Sequence, residues 1–527
     1  MGKSLYIAEK PSVAQEFAKA LKLKLNRKDG YLESEDAIVT WCVGHLVTMS
    51  YPEEYDPSLK RWSLETLPFI PEQFKYEVIP AVSKQFKIVS GLLNRPDVDT
   101  IYVCTDSGRE GEYIYRLVEQ QAGVHGKERR RVWIDSQTEE EIMRGIREAK
   151  DLKEYDNLSA SAYLRAKEDY LMGINFSRLL TLKYGNSISN YLHTKYSVIS
   201  VGRVMTCVLG MVVRREREIR EFVETPFYRV LSTIGEADES FEGEWKAVEG
   251  SRYFESFDLY KENGFKEREK AEELVSYLTD PSPVTCQITA IEKKKEKKNP
   301  PLLFNLAELQ NECSKRFKIS PDETLRIVQE LYEKKLVTYP RTDARVLSTA
   351  VAKEIHKNLN GLMKYEPAVS YLQEIVSFGS HKGLAKTRYV NDKQITDHYA
   401  IIPTGQGIGA LKSVSSLSAK VYDVIVKRFL SIFYPAAVYQ KVSITTKVKE
   451  ESFFSNFKVL AEAGYLKVAN EENQSQEKSA DQKMFERVNE LKKGMILPVS
   501  AFEIKEGKTS PPKRYNSGSL ILAMENA

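Results

Sequence analysis

The sequence predicts a multidomain fold, α/β at the N-terminus and mixed α and β beyond it. Three observations carry this. The chain has 527 residues, more than one hydrophobic core usually spans. Strand-like and helix-like segments alternate over the first 155 residues, the pattern of a mainly parallel sheet. Helical and β-rich stretches then recur on both sides of a helical block at 305–400, so one domain is expected to be discontinuous.

The elements follow in order. Ser4–Ala8 reads as a short strand and Val13–Leu21 has helical spacing; Ala37–Val43 is a second apolar run, Ser83–Leu93 a helix, Thr100–Cys104 a third strand and Glu112–Gln121 a helix. Glu9 and Asp106 then lie just past the C-terminal ends of strands, where open α/β sheets gather ligands. Asp156–Phe222 reads as helical. Phe227–Ile234 and Val284–Ile291 are β-type runs, the second leading into KKKEKK (293–298) and the breaker Asn299-Pro300-Pro301. A charge run of this kind is expected to be a solvated face, and its place at a junction leaves a hinge or phosphate contact open. In 305–375 a Ser320/Glu323 capping box precedes an amphipathic helix. Strand character returns at Gln440–Val448 and Phe454–Leu460, and the polar stretch 471–482 reads as a linker or loop.

Composition excludes several classes. With 78 basic against 74 acidic residues, net charge names no partner, and any nucleic-acid surface has to be a local patch. The five cysteines form no C-x-x-C pair, which suits a reducing compartment and excludes a local Cys-rich zinc knuckle. The N-terminus has too short an apolar run for a signal peptide, and no 18-residue apolar stretch occurs, so no membrane role and a cytoplasmic location are expected. GQGIGA (405–410) and GSHKGLAKT (379–387) miss the context and spacing of dinucleotide and P-loop motifs, so no nucleotide cofactor is expected.

Two motifs carry chemistry. CTDSGREGE (104–112) places three carboxylates, an arginine and two glycines after an apolar run. It reads either as a Mg²⁺ site, which needs only one or two carboxylates plus water or phosphate, or as a polar turn with acids at a helix start. LVTYPRTD (336–343) sets Tyr339 two residues before Arg341. A phenol is a poor nucleophile near neutral pH unless a cation stabilises the phenolate and the phosphoryl transition state. One tyrosine among 29 is otherwise most simply core filler.

IAEKPS (7–12), TDSGREGE (105–112), SVGRVMT (200–206), LVTYPRTD (336–343) and DHYAIIPT (397–404) occur in the order found in type IA DNA topoisomerases. The chain resembles that family nearly end to end, closest to its bacterial topoisomerase III branch; GHL (44–46), RAKEDYLMGINFSR (165–178) and PPKRYNSGSLILAMEN (511–526) add to the likeness. The resemblance implies an N-terminal Toprim domain (1–155) followed by a toroidal core. That core would comprise a helical DNA-groove domain (156–215 and 484–527), a β-rich arch (216–295 and 405–483) and a helical domain (296–404) carrying the nucleophile, which swings about junctions near 295 and 404. It implies Tyr339 as nucleophile forming a 5′-phosphotyrosine, Arg341 on the scissile phosphate, Glu9 for proton transfer and metal, Lys10 offsetting phosphate charge, and His398 and Glu110 beside them. Glu9, Asp106 and Glu110 would hold Mg²⁺. Ser200, Val201, Gly202, Arg203, Val204 and Met205 would contact DNA, with Arg61, Arg165, Asp169, Ser177 and Arg178 lining a single-strand groove.

The expected activity is ATP-independent relaxation or decatenation of DNA with single-stranded regions, by a bacterial cytoplasmic monomer. Two departures from the family pattern leave an alternative. Gly108 stands where many members have a second aspartate, and Ala527 follows soon after a segment that members continue with a further helical stretch. The alternative is a shortened, catalytically impaired single-strand DNA-binding protein.

Overall fold

The computed structural model describes residues 2–22, 24, 26–236, 240–469 and 478–526. Its N-terminal sheet has seven strands in the order 26–28, 31–33, 37–41, 3–8, 98–104, 128–131, 150–151. The central strand Lys3–Ala8 pairs in parallel with both Ala37–Trp41 and Val98–Cys104. Its side chains alternate between faces. Leu5 and Ile7 enter one core, with helices Ser83–Leu93 and Arg109–Ala122, while Tyr6 and Ala8 enter the other, with helices Pro11–Leu21 and Glu139–Arg147. Both faces are covered, as a parallel sheet requires.

Helix Asp156–Leu192 leaves this domain and runs for about 56 Å at 1.5 Å per residue. Helix Arg203–Arg220 follows it. The chain then builds a β-domain from three separated sections. Strands 226–234, 241–246, 451–462, 437–448, 285–298 and 496–508 pair antiparallel in that circular order, the last returning to the first. The ring closes into a barrel, and closure removes the exposed edges of an open sheet. Val230, Trp245 and Phe453 of its strands share a core with Phe265 and with Ala271 and Leu274 of helix Arg268–Thr279.

The KKKEKK string is the second half of strand Thr285–Lys298, paired to Ala437–Val448 as far as Lys298 opposite Ala437. Its side chains are mostly exposed, so the solvated-face reading holds on a strand rather than a linker. Of the linker expected at 471–482, residues 471–477 lie outside the described residues, and helix Lys478–Glu490 begins in the rest.

The domain boundaries drawn from sequence do not follow the packing. Helix Ser416–Ser431 buries Val421, Tyr422, Ile425 and Phe429 in the same core as Leu331, Val337, Leu359 and Ile401. The helical domain therefore continues past 404 to about Tyr434. At the other boundary, strand Ile496–Lys508 is a member of the barrel, and Phe485 and Val488 pack against barrel strands. The segment assigned to the groove domain from 484 thus belongs to the barrel up to 508. We propose domains that respect these cores. The sequence pattern missed them because an amphipathic helix does not declare which core it joins.

Candidate active site

Glu9 and Lys10 sit in the turn between the Lys3–Ala8 strand and a helix that starts at Pro11, with Lys10 as its N-cap. Proline at the first helical position gives up no hydrogen bond, so the turn is tight. The acidic motif is built the same way, with strand Val98–Cys104, the loop Thr105–Gly108 and a helix from Arg109. Arg131 shapes that loop from inside. Fully buried, it donates to the carbonyls of Thr105 and Asp106, each at 2.7 Å, and to the Glu112 carboxylate at 2.9 Å. A buried charge is tolerated only when paired and hydrogen-bonded in this manner. Gly111 is required here, because a Cβ at 111 would stand 2.0 Å from the Asp106 carbonyl oxygen.

The Asp106 N–H donates to Glu9 at 3.3 Å, which brings the two carboxyls together. Burial, then the charge of Asp106, pushes Glu9 up to about 7. Burial also raises Asp106 above the usual carboxylate range, opposed by Lys10, Arg341 and Arg131. Two carboxyls crowded out of water in this way favour a shared proton or a cation.

Tyr339 follows helix Pro321–Glu333 on an extended segment hydrogen-bonded to 400–404, with Thr338 N–H on the Ile402 carbonyl at 3.0 Å and Thr404 N–H on the Leu336 carbonyl at 3.0 Å. Thr342 donates to the carbonyl of His398 at 2.8 Å. This pairing sets the Tyr339 and His398 rings 4.4 Å apart. Both residues are buried at the face where the helical domain meets the parallel sheet. Across that face Tyr339 N–H donates to the Asp135 carbonyl at 2.9 Å, and His398 Nδ1 lies 2.6 Å from the Asp135 carboxylate. His398 Nε2 donates to the Ser107 carbonyl. Lys10 pairs with Glu333 at 3.0 Å and Lys357 with Glu140 at 2.6 Å. Burial, then the Asp106 charge, holds the Tyr339 phenol well above its ordinary value, with Arg341 opposing. Arg341 is exposed and has no ion-pair partner among the described residues.

Glu9, Lys10, Asp106, Tyr339, Arg341 and His398 thus converge, although they come from two domains. Glu110 does not join Glu9 and Asp106. It lies in the first helical turn and takes His45 Nε2 at 2.6 Å. No set of three His, Cys, Asp or Glu side chains able to hold a metal occurs among the described residues. The hard-oxygen pair Glu9 and Asp106 still suits Mg²⁺, which takes one or two carboxylates and fills its remaining positions with water and phosphate oxygen.

The expected groove residues divide. Val201 N–H donates to Ser177 Oγ at 2.8 Å, tying Ser200–Met205 to the long helix. Arg203 is ion-paired to Asp169 at 3.1 Å and Glu168 at 3.2 Å, and Arg165 reaches Asp169 at 4.0 Å. Val204, Met205 and Arg61 are exposed, and Gly202 caps helix Arg203–Arg220. Arg178 is turned inward. It is buried, donates to the Leu59 carbonyl at 3.0 Å and stacks on Trp62, because its position on the long helix faces the Toprim-side loop 57–62. Sequence reasoning missed Arg131, Trp133, Asp135 and Glu333. Trp133 stacks between Tyr155 and His398. Nothing local marks these four, since each matters only through a partner far along the chain.

A Toprim-like sheet closed over a buried tyrosine on a helical domain, with a barrel joining the parts, defines a class: a type IA DNA topoisomerase, an isomerase of DNA topology. Comparison agrees. Residues 153–527 match the DNA topoisomerase family model and residues 4–136 the Toprim domain. The chain is 37% identical to DNA topoisomerase 3 of Bacillus subtilis (strain 168) and 35% identical to that of Bacillus thuringiensis (strain Al Hakam), in each case over its whole length and 67% of the relative's. Full-length topoisomerase I from Thermotoga maritima shares the fold, with a TM-score of 0.67 at 21% identity, over 99% of this chain and 75% of that one. The chain belongs to the DNA topoisomerase family.

Proposed function

We propose that Tyr339 is the nucleophile of this topoisomerase. Its Oη attacks a phosphodiester of a single-stranded segment, forming a 5′-phosphotyrosine and releasing the 3′-oxygen. Glu9, ionised when Mg²⁺ is bound, takes the phenolic proton as Tyr339 attacks and passes it to the departing 3′-oxygen, and the transfer runs backwards on resealing. Lys10 and Arg341 carry the charge that develops on the phosphate. Asp135 and His398 hold the tyrosine in place. Glu9 and Asp106 would hold one Mg²⁺, which adds positive charge beside the scissile phosphate. The ester conserves the bond energy, so resealing needs no ATP.

The carrying observation is the convergence of Tyr339 with Glu9, Asp106 and Arg341 across a face between two domains. Parting that face separates the two broken ends, one on Tyr339 and one at the parallel sheet, and opens a gate for a second strand. Ion pairs such as Lys10 to Glu333 hold the face closed. We read the working unit as a monomer acting on DNA with single-stranded regions. No helix among the described residues is long and apolar enough to cross a membrane.

Incubation of the chain with labelled single-stranded DNA, followed by a denaturant quench, tests the reading. A covalent protein–DNA species is expected, and its absence in Mg²⁺ would reduce the chain to a DNA binder.

A further inference from the structure

Away from this site, a cavity of ≈ 420 Å³ lies where the barrel joins the helical domain. Five cationic side chains line it, Lys298, Arg316, Arg388, Lys427 and Arg428, against the single acid Glu312. Two of the cations are neutralised, Lys427 by Asp423 at 2.9 Å and Arg316 by Glu312. Lys298, Arg388 and Arg428 have no ion-pair partner among the described residues.

Arg428 is held ready. Half-buried, it lies over the Phe304 ring with its guanidinium carbon 3.9 Å from the centroid, and Nη1 donates to the Leu302 carbonyl at 3.0 Å. Burial pulls its pKa below the ordinary arginine value, opposed by the charges of Glu312 and Glu308. A guanidinium stacked on a ring, with one hydrogen bond to a carbonyl, keeps further donors of the kind that bind phosphate. The volume suits a small ligand.

The cavity's position gives it a use. Lys298 ends the barrel strand Thr285–Lys298, and the chain enters the helical domain through Pro300, whose carbonyl accepts from Tyr389 Oη at 2.8 Å. The return crossing leads from helix Ser416–Ser431 to Ala437, directly opposite Lys298. These two connections between the domains therefore border the cavity, one contributing Lys298 and the other Lys427 and Arg428, and Tyr465, where the chain meets the helical core again, lines it as well.

We propose that this cavity is a hinge site for a compact oligophosphate, either pyrophosphate or the phosphate tail of a nucleotide, clasped between Lys298 of the barrel and Arg388 and Arg428 of the helical domain. Such a ligand ties the two crossings together and opposes gate opening. That consequence rests on the gate reading above; the binding itself does not.

Calorimetric titration of the full chain without Mg²⁺ or DNA tests the site independently of strand cleavage. Pyrophosphate should bind saturably at one site. Arg388→Ala and Lys298→Ala, which change exposed side chains, should each weaken it by about tenfold, as expected for loss of a charge-assisted contact. Arg428→Met should weaken it further, with an unchanged circular-dichroism spectrum as the check on folding. Equal affinity for ATP assigns recognition to phosphate alone, and tighter ATP binding assigns it to a nucleotide; either supports the site. Failure to saturate, or unchanged affinity in Arg388→Ala, overturns it. Displacement of pyrophosphate by a single-stranded oligonucleotide in wild-type protein, lost in Arg388→Ala, overturns it too by making the DNA backbone the occupant.

Discussion

The Tyr339 backbone N–H and the His398 imidazole converge on one residue, Asp135, through its carbonyl at 2.9 Å and its carboxylate at 2.6 Å. One residue of the parallel sheet domain thus positions both the proposed nucleophile and the ring packed against it.

Replacing Asp135 by Asn keeps the backbone contact and removes the charge facing His398. Cleavage should slow by about ten- to hundredfold, within the range for a misoriented polar group. Single-strand affinity should stay unchanged. A matching fall in affinity would mean that Asp135 supports the DNA surface instead.

Tyr339→Phe deletes one hydroxyl and retains the ring packed on His398 and Tyr332. The covalent adduct should vanish while single-strand binding stays within about twofold, a few tenths of a kcal/mol. A persisting adduct, mapped by peptide sequencing, would assign the nucleophile elsewhere.

The raised value of Glu9, about 7, has a definite sign. Folded Glu9 keeps its proton at pH values where the unfolded chain has lost it, so this group costs stability as pH rises from the ordinary carboxylate range to about 7. Mg²⁺ must displace that proton, so below pH 7 the Mg²⁺ needed for half-maximal cleavage should rise by about tenfold per pH unit. Above pH 7 it should level off, and Mg²⁺ should raise Tm more at about pH 8 than at about pH 6. Glu9→Gln should flatten both dependences in melting experiments; an unchanged Mg²⁺ shift would remove Glu9 from the metal site.

Gly108 and Gly111 should respond oppositely. Gly108 has φ of −178°, and a Cβ there meets no atom within 4 Å. Gly108→Asp should therefore fold with a stability change within about 0.5 kcal/mol and lower the Mg²⁺ requirement by adding a carboxylate. Gly111→Ala drives its Cβ into the Asp106 carbonyl and should displace the loop, abolishing cleavage and lowering Tm. Equal behaviour of the two variants in thermal melts would refute the loop geometry.

The residues alone left the chemistry open, with a polar turn set against a metal site and a core tyrosine against a nucleophile. Strand periodicity placed Glu9 and Asp106 at strand ends, and five ordered motifs pointed to the family before any contact was known. The partners of Arg178 and Glu110 were not legible because a motif specifies residue type and spacing but not direction; a helix rotates each successive side chain by about 100°. That rotation turned Arg178 into the Leu59 carbonyl and Glu110 to His45.

Sequence by itself therefore determined the class of fold and the parallel N-terminal sheet, since these depend on short-range periodicity, while its ordered motifs named candidate reacting groups only through their likeness to a family. Tertiary structure alone decided that helix Ser416–Ser431 belongs to the tyrosine-bearing core, that Arg131 braces the acidic loop, and that Asp135 contacts both Tyr339 and His398. Each depends on contacts between distant parts of the chain. Burial and charge pairing across such contacts arise only once the whole chain has packed.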